Sequence, residues 1–255
     1  MASIRETRKI VAIGGGEIRS ESGPAETLAI DEEILRLAGK ARPKLLFLPT
    51  ASGDAKGYIE AVEQHFGATL GCRVEALCVA REREAKPEWD RRILDANIIY
   101  VGGGNTEKMM RIWRRLGVDR LLGAARERGV VLAGLSAGAI CWFRYGCSDS
   151  RKERNPQAGP IRVRGLGLIG ASLCPHFDSE GDRKLELKRI MARTSGVALA
   201  LGDCCALEIM GDTYRVLTSR DAAPAYRVFW RRGEYYEEPL EPTDDFRSLP
   251  ELLNK

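Results

Sequence analysis

Histidine is nearly absent from this 255-residue chain: His65 and His176 are the whole supply. That scarcity argues against a zinc site built from several histidines, and it restricts where a general base can sit. Also missing is an uninterrupted apolar run of the roughly 20 residues that a membrane-spanning helix needs, so no membrane partner is expected. The first residues, Met1 to Lys9, lack the signal-peptide order of basic start, apolar middle and cleavage site. Strong charge bias is lacking too. The 40 Lys and Arg against 36 Asp and Glu give net +4, too little and too interspersed for nucleic-acid binding, while small anionic substrates stay open. The seven cysteines, at 72, 78, 141, 147, 174, 204 and 205, are odd in number and follow no small-scaffold spacing. They read as reduced, mostly buried thiols of a cytoplasmic protein.

What is present is a recurring order of apolar strand, glycine turn and helix. A chain of this length buries roughly 70 to 75% of its unfolded surface, enough for one domain over residues 1–255. Ile10–Ile13 reads as a strand ending at Gly14-Gly-Gly16, with a helix over 25–38; the glycines suit close backbone packing but not a full dinucleotide fingerprint. Strands follow at 44–48, 72–79 and 97–101, with helices through Tyr58 to Phe66, near Ile93 and through Met109 to Trp113. The pattern predicts an α/β sandwich with a largely parallel sheet flanked by helices, whose ligands gather beyond the carboxyl ends of the strands. Residues 144–164 read as an extended loop or irregular insertion, 182–193 as a helix, and 197–201, 205–210, 214–218 and 226–230 as short strands with a turn at Gly211-Asp212. The last 20 or so residues are locally uninformative.

Gly134-Leu-Ser136-Ala-Gly138 has the G-x-S-x-G spacing of a nucleophile elbow. The apolar run Val131–Ala133 suits a buried strand, 137–143 can begin a helix, and a sharp strand-to-helix turn lifts the serine side chain clear of the backbone. An ordinary exposed serine on a tight turn fits the same pattern. Unaided, a serine hydroxyl is a weak nucleophile and needs a base. His176, in Cys174-Pro-His-Phe-Asp178, is the natural candidate because imidazole titrates near neutrality, although a structural role is equally compatible. His65 lies within a helical pattern and suits a partly buried or helix-terminal contact. The base needs a carboxylate to fix its tautomer. Asp203, after the strand 197–201 and Gly202, can supply it, with Asp178, Asp149 and Glu208 competing.

Three segments in this order, Val101-Gly-Gly-Gly-Asn-Thr106, Gly134-Leu-Ser-Ala-Gly-Ala139 and Pro175-His-Phe177, resemble the peptidase E or α-aspartyl dipeptidase family, relatives of the cyanophycinases, over roughly residues 10 to 220. The resemblance implies a cytoplasmic serine hydrolase with a flavodoxin-like or class I glutamine-amidotransferase-like three-layer fold, needing no cofactor or metal. Its substrate would be a short peptide, with a homodimer possible, and the family's best-known activity releases an N-terminal aspartate from dipeptides. It implies Ser136 as nucleophile and His176 as base. Family members commonly carry Glu where Asp203 falls, so Asp203 would be a shorter carboxylate in the same role. The family's other candidate for the third residue, an aspartate downstream of the nucleophile, is resembled by Asp149; Asp203 ranks first as orienter and Asp149 first as binder of the substrate's α-ammonium group, with Asn105 a second substrate-binding candidate. Backbone amides of Gly103 or Gly104 and of Ala137 would form the oxyanion hole. Arg144 and Arg183 are candidates to meet a substrate carboxylate, whereas Asp178-Ser-Glu180 brings negative charge near the histidine. A cyanophycinase-like hydrolase of modified acidic peptides, or a noncatalytic amino-acid or peptide-binding protein, are the alternatives.

Overall fold

A computed structural model describes residues 8–18, 23–81, 86–179, 181, 183–221 and 223–255. Residues 1–7, Glu180 and Asp182 of the segments discussed above lie outside that set. In chain order the first half runs β1 (Lys9–Ile13), α1 (Leu28–Ala38), β2 (Lys44–Leu48), α2 (Lys56–Val62), a π-helical turn (Glu63–Thr69), β3 (Arg73–Ala76), α3 (Lys86–Leu94), β4 (Ile98–Val101), α4 (Thr106–Leu116), α5 (Val118–Glu127) and β5 (Val131–Leu135). The second half runs α6 (Ala137–Ile140), β6 (Phe143–Ser148), β7 (Ile161–Arg164), β8 (Ile169–Cys174), α7 (Arg183–Ala192), β9 (Val197–Leu201), β10 (Cys205–Met210), β11 (Thr213–Thr218), β12 (Ala225–Arg231), β13 (Glu234–Pro239), β14 (Arg247–Ser248) and α8 (Leu249–Leu253).

The larger sheet has the order β14-β11-β10-β1-β5-β4-β2-β3. Its five strands from β1 to β3 are mutually parallel, as expected, and β10 joins β1 antiparallel. Successive side chains of a strand face opposite ways, and the two faces of this sheet feed different clusters. Val11, Ile13, Leu45, Phe47 and Tyr100 pack with Ile30, Ile34 and Val62 of α1 and α2. Ile10, Ala12, Leu46, Ile99 and Leu132 pack with the helices α3 to α5 and, through Leu173 and Leu199, with the second sheet. Both faces are covered, so the central strands are apolar throughout. Each fully buried Leu, Ile or Phe contributes about 1.5–3 kcal/mol.

The second sheet, β13-β12-β9-β8-β6-β7, corrects the reading of 144–164 as loop. Phe143–Ser148 and Ile161–Arg164 are paired antiparallel strands, and only the stretch between them is irregular. The predicted helix over 137–143 is also shorter, Ala137–Ile140, because the chain must enter β6 at Phe143. The first helix starts at Leu28 rather than Ala25, and the supposedly uninformative tail supplies β14 and α8, capped by Ser248.

Register fixes what stands together at the carboxyl edge. Ile13 of β1 pairs with Leu135 of β5, and Val101 of β4 with Gly134, so Gly14, Gly102 and Ser136 leave the sheet side by side. Because β10 is antiparallel to β1, Ala206 pairs with Ile13, and the chain enters β10 at that same edge.

Candidate active site

Ser136 sits between the end of β5 and α6 with φ 54°. A non-glycine residue at positive φ costs on the order of 1–3 kcal/mol, which surrounding hydrogen bonds must offset. Ser136 N–H donates to Ile13 O at 3.0 Å, while Ser136 O accepts from Ala139 and Ile140 N–H at 3.0 and 2.9 Å. Gly138 lets this turn close: a Cβ there would lie 2.0 Å from Val101 O.

His176 reaches the serine from the loop after β8. Its own φ is 53°, and the segment is stitched to two strand ends by His176 N–H to Gly14 O at 3.3 Å and Phe177 N–H to Leu201 O at 3.1 Å. Nε2 lies 2.9 Å from Ser136 Oγ, and Nδ1 lies 2.7 Å from Asp203 Oδ1. An ionised carboxylate can only accept. Nδ1 therefore carries the proton toward Asp203, and Nε2 is left as acceptor for the serine hydroxyl. The two side chains are 22% and 23% exposed, open enough for a substrate to approach.

Of the four candidate carboxylates, Asp203 is the one bonded to the imidazole. Asp178 stands behind it, its Oδ1 accepting Asp203 N–H at 2.9 Å. Glu208 is buried on β10 and paired with Arg215 at 2.7 Å. Asp149 pairs with Arg183 at 2.5 Å and Lys152 at 3.1 Å. His65 is elsewhere in the fold, its Nε2 2.8 Å from Asp31 Oδ2.

Sequence reasoning missed the role of Gly15. A Cβ there would lie 1.9 Å from Asp203 Oδ1 and 2.5 Å from His176 Nδ1, so the histidine–aspartate bond lies directly over a backbone that has no side chain. The triple glycine after β1 was the available signal; what it approaches, His176 and Asp203, lies more than 160 residues away in sequence. Tyr58 gave no signal at all. Its hydroxyl accepts Gly103 N–H at 3.2 Å, and burial pushes that hydroxyl up to about 12. Gly103 itself lies against the serine, a Cβ there being 3.5 Å from Ser136 Cβ. With Gly103 N–H taken by Tyr58, Gly104 and Ala137 keep amides that take no partner among the described residues.

A serine, histidine and aspartate in this bonded series can shuttle a proton off a hydroxyl, and comparison with known proteins identifies the setting. The sequence model of peptidase family S51 matches residues 10–217. The chain belongs to that family. It is a peptidase. An uncharacterized peptidase, YgaJ of Bacillus subtilis strain 168, is 36% identical over 238 residues, covering 91% of this chain and 97% of the relative. A probable alpha-aspartyl dipeptidase of Drosophila melanogaster is 26% identical over 187 residues, covering 70% and 74%. Among solved structures, a peptidase from an acI-B1 Actinobacterium superposes with TM-score 0.71 at 19% identity, covering 94% of this chain and 96% of that one. A putative peptidase E protein from Listeria monocytogenes EGD-e gives 0.62 at 21%, covering 83% and 98%. These structural likenesses establish the fold, the glutamine-amidotransferase-like α/β architecture expected from the sequence.

In this S51 chain Asn105 and Asp149 line one cavity of about 310 Å³ together with Ala51, Ser52, Gly104 and Lys108. Asn105 is also the N-cap of α4, its Oδ1 accepting Lys108 N–H at 2.9 Å while Nδ2 donates to Ser150 O at 3.0 Å. Arg144 is exposed beside the Tyr145 ring, and Arg183 is buried against Asp149. No group of three or more His, Cys, Asp or Glu among the described residues is arranged to hold a metal ion. No described helix is long and apolar enough to cross a membrane, and all seven cysteines are free thiols.

Proposed function

We propose that this chain is a serine peptidase acting on short peptides, foremost dipeptides with an N-terminal aspartate or a related residue. The single observation that carries the reading is the 2.9 Å contact between Ser136 Oγ and His176 Nε2, with the imidazole backed by Asp203 at 2.7 Å. His176 takes the Ser136 proton as Oγ attacks the scissile carbonyl carbon. The tetrahedral oxyanion is held by Gly104 and Ala137 amides, each worth roughly 3–4 kcal/mol. The amine leaves with the proton from His176, and water deacylates Ser136 by the same base. The shared lining of the Gly104 cavity supports Asn105 and Asp149 as substrate contacts. The aspartyl preference draws on the Drosophila relative's name, and the free thiols support a reducing, cytoplasmic setting.

Hydrolysis of Asp-Leu, Ala-Leu, N-acetyl-Asp-Leu and longer peptides tests the reading. Asp-Leu is expected to be cleaved fastest, and blocking its amine to abolish cleavage. Equal cleavage of all four would contradict the N-terminal aspartyl preference, and no cleavage of any would contradict the peptidase mechanism.

A further inference from the structure

Beyond Gly104 the site opens into a groove that the reaction chemistry does not use. A second cavity, of about 700 Å³, shares Asn105, Lys108, Ser150 and Glu153 with the one that Gly104 lines. Its charged lining is Lys108, Arg111, Arg151 and Arg154 against Glu107 and Glu153. Glu153 is committed: it accepts from Asn105 Nδ2 at 2.5 Å and stands 3.9 Å from Lys108 Nζ. Arg111, Arg151 and Arg154 are exposed, and none forms an ion pair with another described residue. Three guanidiniums thus face one concave space without carboxylates of their own.

The walls are held in place before any ligand arrives. Ser150 Oγ accepts Glu107 N–H at 3.0 Å, Ser150 O accepts from Asn105 at 3.0 Å, and Ser148 Oγ donates to Thr106 Oγ1 at 3.0 Å. These bonds clamp the end of β6 and Ser150 onto the first turn of α4, so the backbone at this wall of the groove is set before binding. A guanidinium is a planar fork suited to carboxylate oxygens, and the groove continues from the cavity that Gly104 lines.

We propose that this groove is an extended substrate subsite that takes carboxylates remote from the scissile bond, so that among peptides longer than two residues those with acidic extensions are preferred over neutral ones. This rests on the peptidase reading of Ser136 and deepens it. The test compares peptides carrying a three-residue Glu extension with the same peptides carrying a Gln extension, attached on the leaving side in one series and on the acyl side in the other. In at least one series Glu is expected to exceed Gln in kcat/KM by about tenfold, the sum of three partly exposed charge contacts. The ratio should collapse toward unity in the R111Q/R151Q/R154Q protein. It should collapse likewise in the unaltered protein at about 1 M salt, where the Debye length is ~3 Å. Ser136→Ala protein, which requires no turnover, should bind the Glu peptide about tenfold more tightly than the Gln peptide. Equal turnover and equal binding of the two extensions overturn the groove and leave the peptidase standing, as does tighter binding of an oligonucleotide than of the Glu peptide. Preferential binding without hydrolysis of any peptide does the reverse.

Discussion

The two histidines of this chain are each bonded to an aspartate at nearly the same distance, His176 to Asp203 at 2.7 Å and His65 to Asp31 at 2.8 Å, yet the two pairs occupy opposite physical settings. His176 stands on a loop at positive φ, partly exposed, with its second nitrogen on Ser136. His65 stands in a π-helical turn with its side chain 7% exposed, and Asp31 is fully buried and further bonded to Thr27 Oγ1 at 2.7 Å. A histidine–carboxylate bond is therefore common to both pairs; what sets the His176 pair apart, and what the proposed mechanism uses, is the third partner and access to solvent, both supplied by strand ends that the register brings to one edge.

The sharpest way to separate the pairs is to remove each imidazole. His176→Ala should lower kcat/KM by 10⁴-fold or more, on the scale of losing a triad member, with the denaturant midpoint unchanged. His65→Ala should leave kcat/KM within a few-fold and cost about 1–3 kcal/mol in denaturant unfolding, because the buried Asp31 carboxyl loses its 2.8 Å imidazole partner. The reverse pattern would exchange the two roles.

Removing the carboxylate charge sharpens the contrast. Asp203→Asn should cut kcat roughly 10⁴-fold by favouring the wrong tautomer. Asp31→Asn should leave turnover intact and alter only pH-dependent stability. Burial raises the Asp31 carboxyl above its ordinary value of 3.8, outweighing the bonds from His65 and Thr27 that lower it. Its contribution is thus fully present below the unfolded value and lost as pH rises through the folded one. Unfolding midpoints of the Asn variant should fall less than those of the unaltered protein across that window.

Gly15→Ala tests whether the floor under the active pair matters. Its Cβ would occupy space within 1.9 Å of Asp203 Oδ1, and a displacement of about 1 Å in a reacting group costs on the order of 10²-fold. Turnover should fall by about that much, and unchanged kcat would show that the pair tolerates displacement.

The smallest effect is expected at Tyr58→Phe, which strips Gly103 N–H of its acceptor at a cost of about 0.5–1.5 kcal/mol. The Tyr58 hydroxyl ionises at about 12 in the fold against 10.0 ordinarily. Its stabilising share is complete below pH 10 and is lost as pH rises toward 12. The stability advantage of the unaltered protein over Tyr58→Phe should shrink across that interval, as read by denaturant titration at each pH.

Much of this architecture was legible in the chain. Gly134 to Gly138 announced a strand turning into a helix around a serine, and the apolar runs ending in glycine announced parallel strands sharing one edge. The second sheet was harder to read because β6 and β7 carry Arg144, Arg162 and Arg164. Those arginines suggested a polar loop, although in β7 the buried Val163 between exposed Arg162 and Arg164 is a period-two signal. Asp178 could be counted among the carboxylates but not ranked, since its place behind Asp203 depends on where β9 ends against the loop after β8. Gly15 and Tyr58 act through contacts between segments far apart in sequence, and no local pattern records these.

Activation of the Ser136 hydroxyl by His176, and not by the other histidine, underlies the proposed mechanism. Its most direct test is mass spectrometry of covalent labelling by a fluorophosphonate in four proteins: unaltered, Ser136→Ala, His176→Ala and His65→Ala. A single adduct on Ser136 is expected in the unaltered and His65→Ala proteins and none in the other two. Labelling of Ser136 at an undiminished rate in the His176→Ala protein, or no labelling of the unaltered protein, would contradict it.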